Sequence, residues 1–142
     1  MACFFEPVNE GAILVEPFHA YLPAGGQVFT LLKSHVGNTL LELAPQDQME
    51  DLDATASLDP QTGRIVLTVV NRSPVVEHEV TVVLKDMHLT DVDGLLLAAP
   101  DYLPGTDFTE RKLPVTYRGD EFSVVLPKHS VGRLTMQLKK HI

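Results

Sequence analysis

From Leu40 onward the chain runs in short stretches of alternating or continuous apolar residues, separated by turn residues at intervals of roughly 8–12 positions, the rhythm of an antiparallel sandwich or barrel. This pattern predicts strands at Leu40–Leu43, Ala54–Leu58, Ile65–Val70, Val80–Leu84, Leu95–Ala98, Val115–Tyr117, Phe122–Leu126 and Arg133–Leu138. Asp59-Pro60-Gln61-Thr62-Gly63 reads as a hairpin connection, with Pro60 presetting one turn dihedral and Gly63 supplying a positive one. Arg118-Gly119-Asp120 does the same ahead of Phe122. The stretch Pro100–Pro114 carries three prolines and a glycine, lacks periodicity and predicts a long surface connection. Upstream the texture differs. Val28, Leu31, Leu32, His35 and Val36 fall at helical spacing, with Gly25-Gly26 as a turn at the start and Gly37 suited to the left-handed position after the end, which predicts one amphipathic helix of about three turns. The fold class is mainly β: an antiparallel two-sheet β-sandwich or jelly roll with one short N-terminal helix.

With 142 residues, 44% of them hydrophobic, the chain can build one core and bury roughly 68–70% of its unfolded surface. Nineteen acidic against eleven basic residues give a net charge of −8, which repels phosphate backbones and anionic lipid, so neither nucleic acid nor a membrane is an expected partner. Cys3 is the only cysteine, so no internal disulfide and no thiolate metal site can form within one chain. No basic segment leads into an apolar stretch at the N-terminus, and no apolar run approaches the ~20 residues needed to span a bilayer, so a soluble, cytoplasmic protein is expected. The opening Met1-Ala2-Cys3-Phe4-Phe5 is abruptly apolar where most domains begin with a few polar residues, and so reads as a cut.

Candidate chemistry is sparse. An Asn-Glu pair, Asn9-Glu10, could present a catalytic acid, with Glu6 as its partner. Glycoside hydrolysis demands two carboxyls about 5–5.5 Å or 6.5–9.5 Å apart, and nothing in the pattern supplies a scaffold to hold Glu6 and Glu10 so. Histidines 19, 35, 78, 88, 129 and 141 contain no metal-ligand spacing and read as surface or helix-face residues; no metal and no cofactor is expected. Asp91-Val92-Asp93-Gly94 has the start of a calcium loop without its closing glutamate and reads as a turn. Asn71-Arg72-Ser73 matches the glycosylation acceptor, but its residues suit local hydrogen bonds in the turn after a strand better. Lys128-His129-Ser130 are adjacent in sequence, whereas Ser–His pairs that do chemistry are assembled from distant positions. With no Trp and only Tyr21, Tyr102 and Tyr117, stacking surfaces for sugars are few; Tyr102 and Tyr117 are the candidates for weak sugar contact.

In their order, VFTLLKSHVG, LTVVNRSP, AAPDYLPGTDFTERKLPV and FSVVLPKHSVGRLTMQL make the chain similar to the C-terminal region of family-51 glycoside hydrolases, the α-L-arabinofuranosidases. The resemblance runs from about Gln27 to Leu138; Lys128 stands where the family has a second proline, and Thr106-Asp107-Phe108 matches only loosely. It implies an all-β jelly-roll domain that packs on a (β/α)8 barrel carrying two catalytic glutamates, with residues 1–38 an end-of-barrel segment and helix packed on the sandwich and 39–142 the sandwich, one compact domain overall. The family's glutamates lie upstream, so the resemblance carries no catalytic residue onto this chain. Pro127-Lys128-His129-Ser130 would be the tight link between the last two strands, with Pro127 ending the ladder and Ser130 bonding locally.

Three functions compete: a non-catalytic domain buttressing the barrel of an arabinofuranosidase-like parent, with homo-oligomer contacts open to it; a free-standing carbohydrate-binding or adaptor module using Tyr102 or Tyr117; and an independent hydrolase using Glu6 and Glu10. The first expects residues 1–38 to present an apolar surface with no partner inside the chain.

Overall fold

The computed structural model describes residues 6, 8–9, 12–44, 50–85, 88–103, 106–118 and 121–138. In chain order the elements are β1 (Leu14–Glu16), β2 (His19–Tyr21), α1 (Ala24–Leu32) continued by a 3-10 turn (Lys33–His35), β3 (Thr39–Leu41), β4 (Leu52–Leu58), β5 (Arg64–Asn71), β6 (His78–Val83), β7 (Leu89–Ala98), β8 (Thr109–Lys112), β9 (Thr116–Arg118), β10 (Glu121–Leu126) and β11 (Ser130–Leu138). All strand pairings are antiparallel. They make a six-stranded sheet in the order β3-β4-β5-β11-β7-β8, a three-stranded sheet β6-β10-β9 and the small hairpin β1-β2.

The six-stranded sheet is covered on both faces at its centre, which explains the nearly continuous apolar run of β5. Ile65, Leu67 and Val69 on β5, Leu134 and Met136 on β11 and Leu96 on β7 point one way, into a core closed by Phe122, Val124 and Leu126 of the three-stranded sheet. The alternate residues Val70, Val131 and Leu97 point the other way and meet Leu31 and Val28 of α1. An antiparallel sheet with one wet face would alternate strictly; a third layer on the second face removes that need.

Turn chemistry behaves as the residues dictate. The Asp59 carboxylate accepts from Gln61 N at 2.9 Å and Thr62 Oγ1 at 2.6 Å, and Gly63 sits at φ +72°, closing the β4-β5 hairpin. Gly37 takes φ +83° after the helix. At the opposite end of the sandwich Asn71 is 1% exposed; its Nδ2 donates to the carbonyls of Val76 (2.9 Å), Leu126 (3.0 Å) and Pro127 (3.0 Å), while its Oδ1 accepts from Ser73 N (2.9 Å). Ser73 Oγ in turn accepts from Val76 N at 3.0 Å. Ser130 Oγ donates to Pro127 O at 2.6 Å, so Pro127-Lys128-His129-Ser130 is the tight, locally bonded link expected. The link carries the chain from the three-stranded to the six-stranded sheet, with His129 in the left-handed region at φ 51°.

Several expectations need correction. Asp91-Val92-Asp93-Gly94 is not a turn but the middle of β7: Val92 faces the core, and Gly94 is needed because Leu113 N donates to its carbonyl at 2.9 Å and a Cβ there would press into the Leu113 carbonyl. The 100–114 connection contains β8, whose Thr-Glu-Arg-Lys is exposed throughout; it is an edge strand, and charge rather than alternation marks it. The helix begins at Ala24, so Gly25 and Gly26 lie inside its first turn, and a Cβ on Gly26 would press into the Ala12 carbonyl. The β1-β2 hairpin was not anticipated. Gly119 and Asp120 lie outside the described residues.

Because the two N–H donors of the Asn71 amide are shared among three backbone carbonyls at a side chain that is 1% exposed, Asn71→Ala is expected to cost about 2–3 kcal/mol, leaving those carbonyls short of a donor. Urea unfolding of the two proteins checks this; a loss below about 0.5 kcal/mol, the level of an ordinary surface change, would mean that the corner finds other partners.

Candidate docking surface

The most distinctive surface is built by residues 12–40. Pro23 stands at the N-cap of α1 in extended conformation, and Gln27 N closes the first turn on Pro23 O at 3.0 Å. Gln27 clamps the helix to the strand edge: its Nε2 donates to Phe108 O at 3.2 Å and its Oε1 accepts from Phe108 N at 3.1 Å. Leu31 is the buried contact of the helix with the sheet. Its far end is pinned by His35, whose Nδ1 bonds Ser57 Oγ at 2.7 Å and whose Nε2 bonds Thr68 Oγ1 at 2.8 Å, one ring nitrogen donating and the other accepting. Asn38 Nδ2 also donates to Ser57 Oγ at 3.0 Å. Burial first, and the Arg133 charge second, hold His35 below its ordinary value of 6.5.

Outside this clamp the same segment exposes apolar groups. Phe18, at the tip of the β1-β2 hairpin, is 99% exposed; Val15 and Leu22 flank it, and Val36 and Leu40 beyond the helix are 80% and 74% exposed. Asn9, in the left-handed region at φ 61°, accepts from Val15 N through its Oδ1 at 2.9 Å and so fixes the hairpin's approach. The described part of residues 1–38 thus exposes several large apolar side chains. Phe18 carried a readable signal, an aromatic residue directly after Pro17 in a turn position, where polar residues are usual.

The residues proposed from sequence are placed as follows. Glu6 is exposed, and Glu10 lies outside the described residues, as do Cys3 and His141. Tyr102, 75% exposed in the connection after β7, tilts on the His129 ring at 5.5 Å. Beside it Asp101 accepts from Thr106 Oγ1 (2.7 Å) and Leu103 N (3.0 Å), and these bonds hold its carboxyl below the usual range. Tyr117, 56% exposed on β9, lies 6.5 Å from the Phe122 ring. The two tyrosines thus sit on different elements, Tyr102 in a connection and Tyr117 on β9 of the three-stranded sheet. Among the described residues no three His, Cys, Asp or Glu side chains are grouped to hold a metal ion, and no helix is long and apolar enough to cross a membrane.

No protein-family profile and no curated protein sequence matches the chain at a significant level. Solved structures do match. The GH51 arabinofuranosidase from Xanthomonas axonopodis pv. citri superposes with a TM-score of 0.73 at 22% identity, over 92% of this chain and 30% of its own. The α-L-arabinofuranosidase from Thermotoga maritima, solved with arabinose, gives 0.73 at 20% identity, over 90% and 32%. The catalytic domain of GH30 xylanase C from Talaromyces cellulolyticus gives 0.67 at 12%, over 94% and 29%. The β-sandwich fold implied by the sequence resemblance is thus the fold of this chain, and the chain spans about three-tenths of the length of these enzymes.

The His35 clamp makes the helix-to-sheet contact sensitive to acid. The folded chain holds His35 neutral where the unfolded chain takes up a proton, so its contribution to stability is complete above pH 6.5 and is lost as pH falls below that value toward the depressed folded one. Urea midpoints should fall between about pH 7.5 and 5, and His35→Gln should flatten that slope. Parallel slopes in both proteins would assign the acid loss to other groups.

Proposed function

We propose that this chain is the non-catalytic β-sandwich domain of an arabinofuranosidase-like glycoside hydrolase, and that it buttresses the catalytic barrel through the face formed by the β1-β2 hairpin and the end of α1. The observation that carries this reading is the exposure of large apolar side chains on the segment around α1, Phe18 (99%), Val36 (80%) and Leu40 (74%) above all, on a domain whose own core is complete without them. Apolar groups left in solvent in this way suit an interaction surface. The match to about three-tenths of each solved enzyme supports it from a second side, since the remaining length supplies a partner of the right kind. In this reading the chain holds the barrel and leaves the chemistry to it. A cytoplasmic setting belongs to the same proposal: the single Cys3 leaves no internal disulfide to require oxidising conditions.

An antibody raised against the chain tests the proposal on the native gene product. A band several times larger than 15.6 kDa is expected, together with no turnover of p-nitrophenyl arabinofuranoside by the isolated chain. A native band at 15.6 kDa, or turnover that Glu10→Gln abolishes, would overturn it.

A second reading, a free-standing carbohydrate-binding module, is favoured by one feature: the Tyr102 ring stands in solvent beside His129 and the ionised Asp101, an apolar face with polar groups at its edge. Affinity electrophoresis in arabinan or arabinoxylan gels discriminates. Retardation that Tyr102→Ala removes would support this module, and unchanged mobility would reject it.

A further inference from the structure

We draw no further inference here: the strongest candidate, the outer edge of β6 in the three-stranded sheet, which no described strand pairs and beside which Val83 stands 62% exposed, carries nothing because nothing in the structure shows what covers it.

Discussion

The pairing of β5 with β11, from Asn71↔Ser130 to Arg64↔Gln137, sets which residue of each strand faces which layer, and both outer layers depend on it. In this register Ile65, Leu67, Val69, Leu134 and Met136 meet the three-stranded sheet, while Val66, Thr68, Val70, Val131 and Arg133 face the helix side. A slip by one residue would exchange the two sets and drive Thr68 and Arg133 into the apolar core, a loss no local adjustment could repair. The polar members of the second set are therefore tolerated because the helix brings His35 to Thr68, and because Arg133 lies at a cavity rather than against packed side chains.

The helix α1 is anchored by polar groups at both ends. At the His35 end the imidazole bonds Ser57 and Thr68, and Asn38 donates to the same Ser57 hydroxyl, so the helix terminus is tied to two strands. At the Gln27 end the helix is tied to the backbone of Phe108. Between these anchors the half-buried Arg133 lines a groove beneath α1 together with Glu110.

Most of the sandwich was legible because strands β4, β5, β6, β10 and β11 bury side chains in patterns that composition alone exposes, and because Gly37 and Gly63 sit where only a positive dihedral works. The failures have physical reasons. Strand β8 buries none of its Thr-Glu-Arg-Lys side chains, and β1 and β2 are three residues each, too short for any period to register. Gly94 reads as a turn residue because the sequence shows a missing side chain without showing the Leu113 backbone that occupies its place. Arg133 starts a strand in the sequence pattern, but periodicity identifies the face and not what lies over it. The clamp at Gln27 joins residues 81 positions apart, beyond any local pattern.

The Asn71 corner has a consequence for how the chain can be made. Asn71-Arg72-Ser73 has the form of an acceptor for oligosaccharide transfer, yet in the folded state both Asn71 and Ser73 are 1% exposed and the amide nitrogen is committed to three carbonyls. Transfer of a glycan would have to occur before β5 closes on the corner, and a glycan there would displace the nitrogen that joins the two sheets. Export through a glycosylating secretory pathway would therefore set modification and folding in direct competition at one atom, and each modified chain would be lost to the native state.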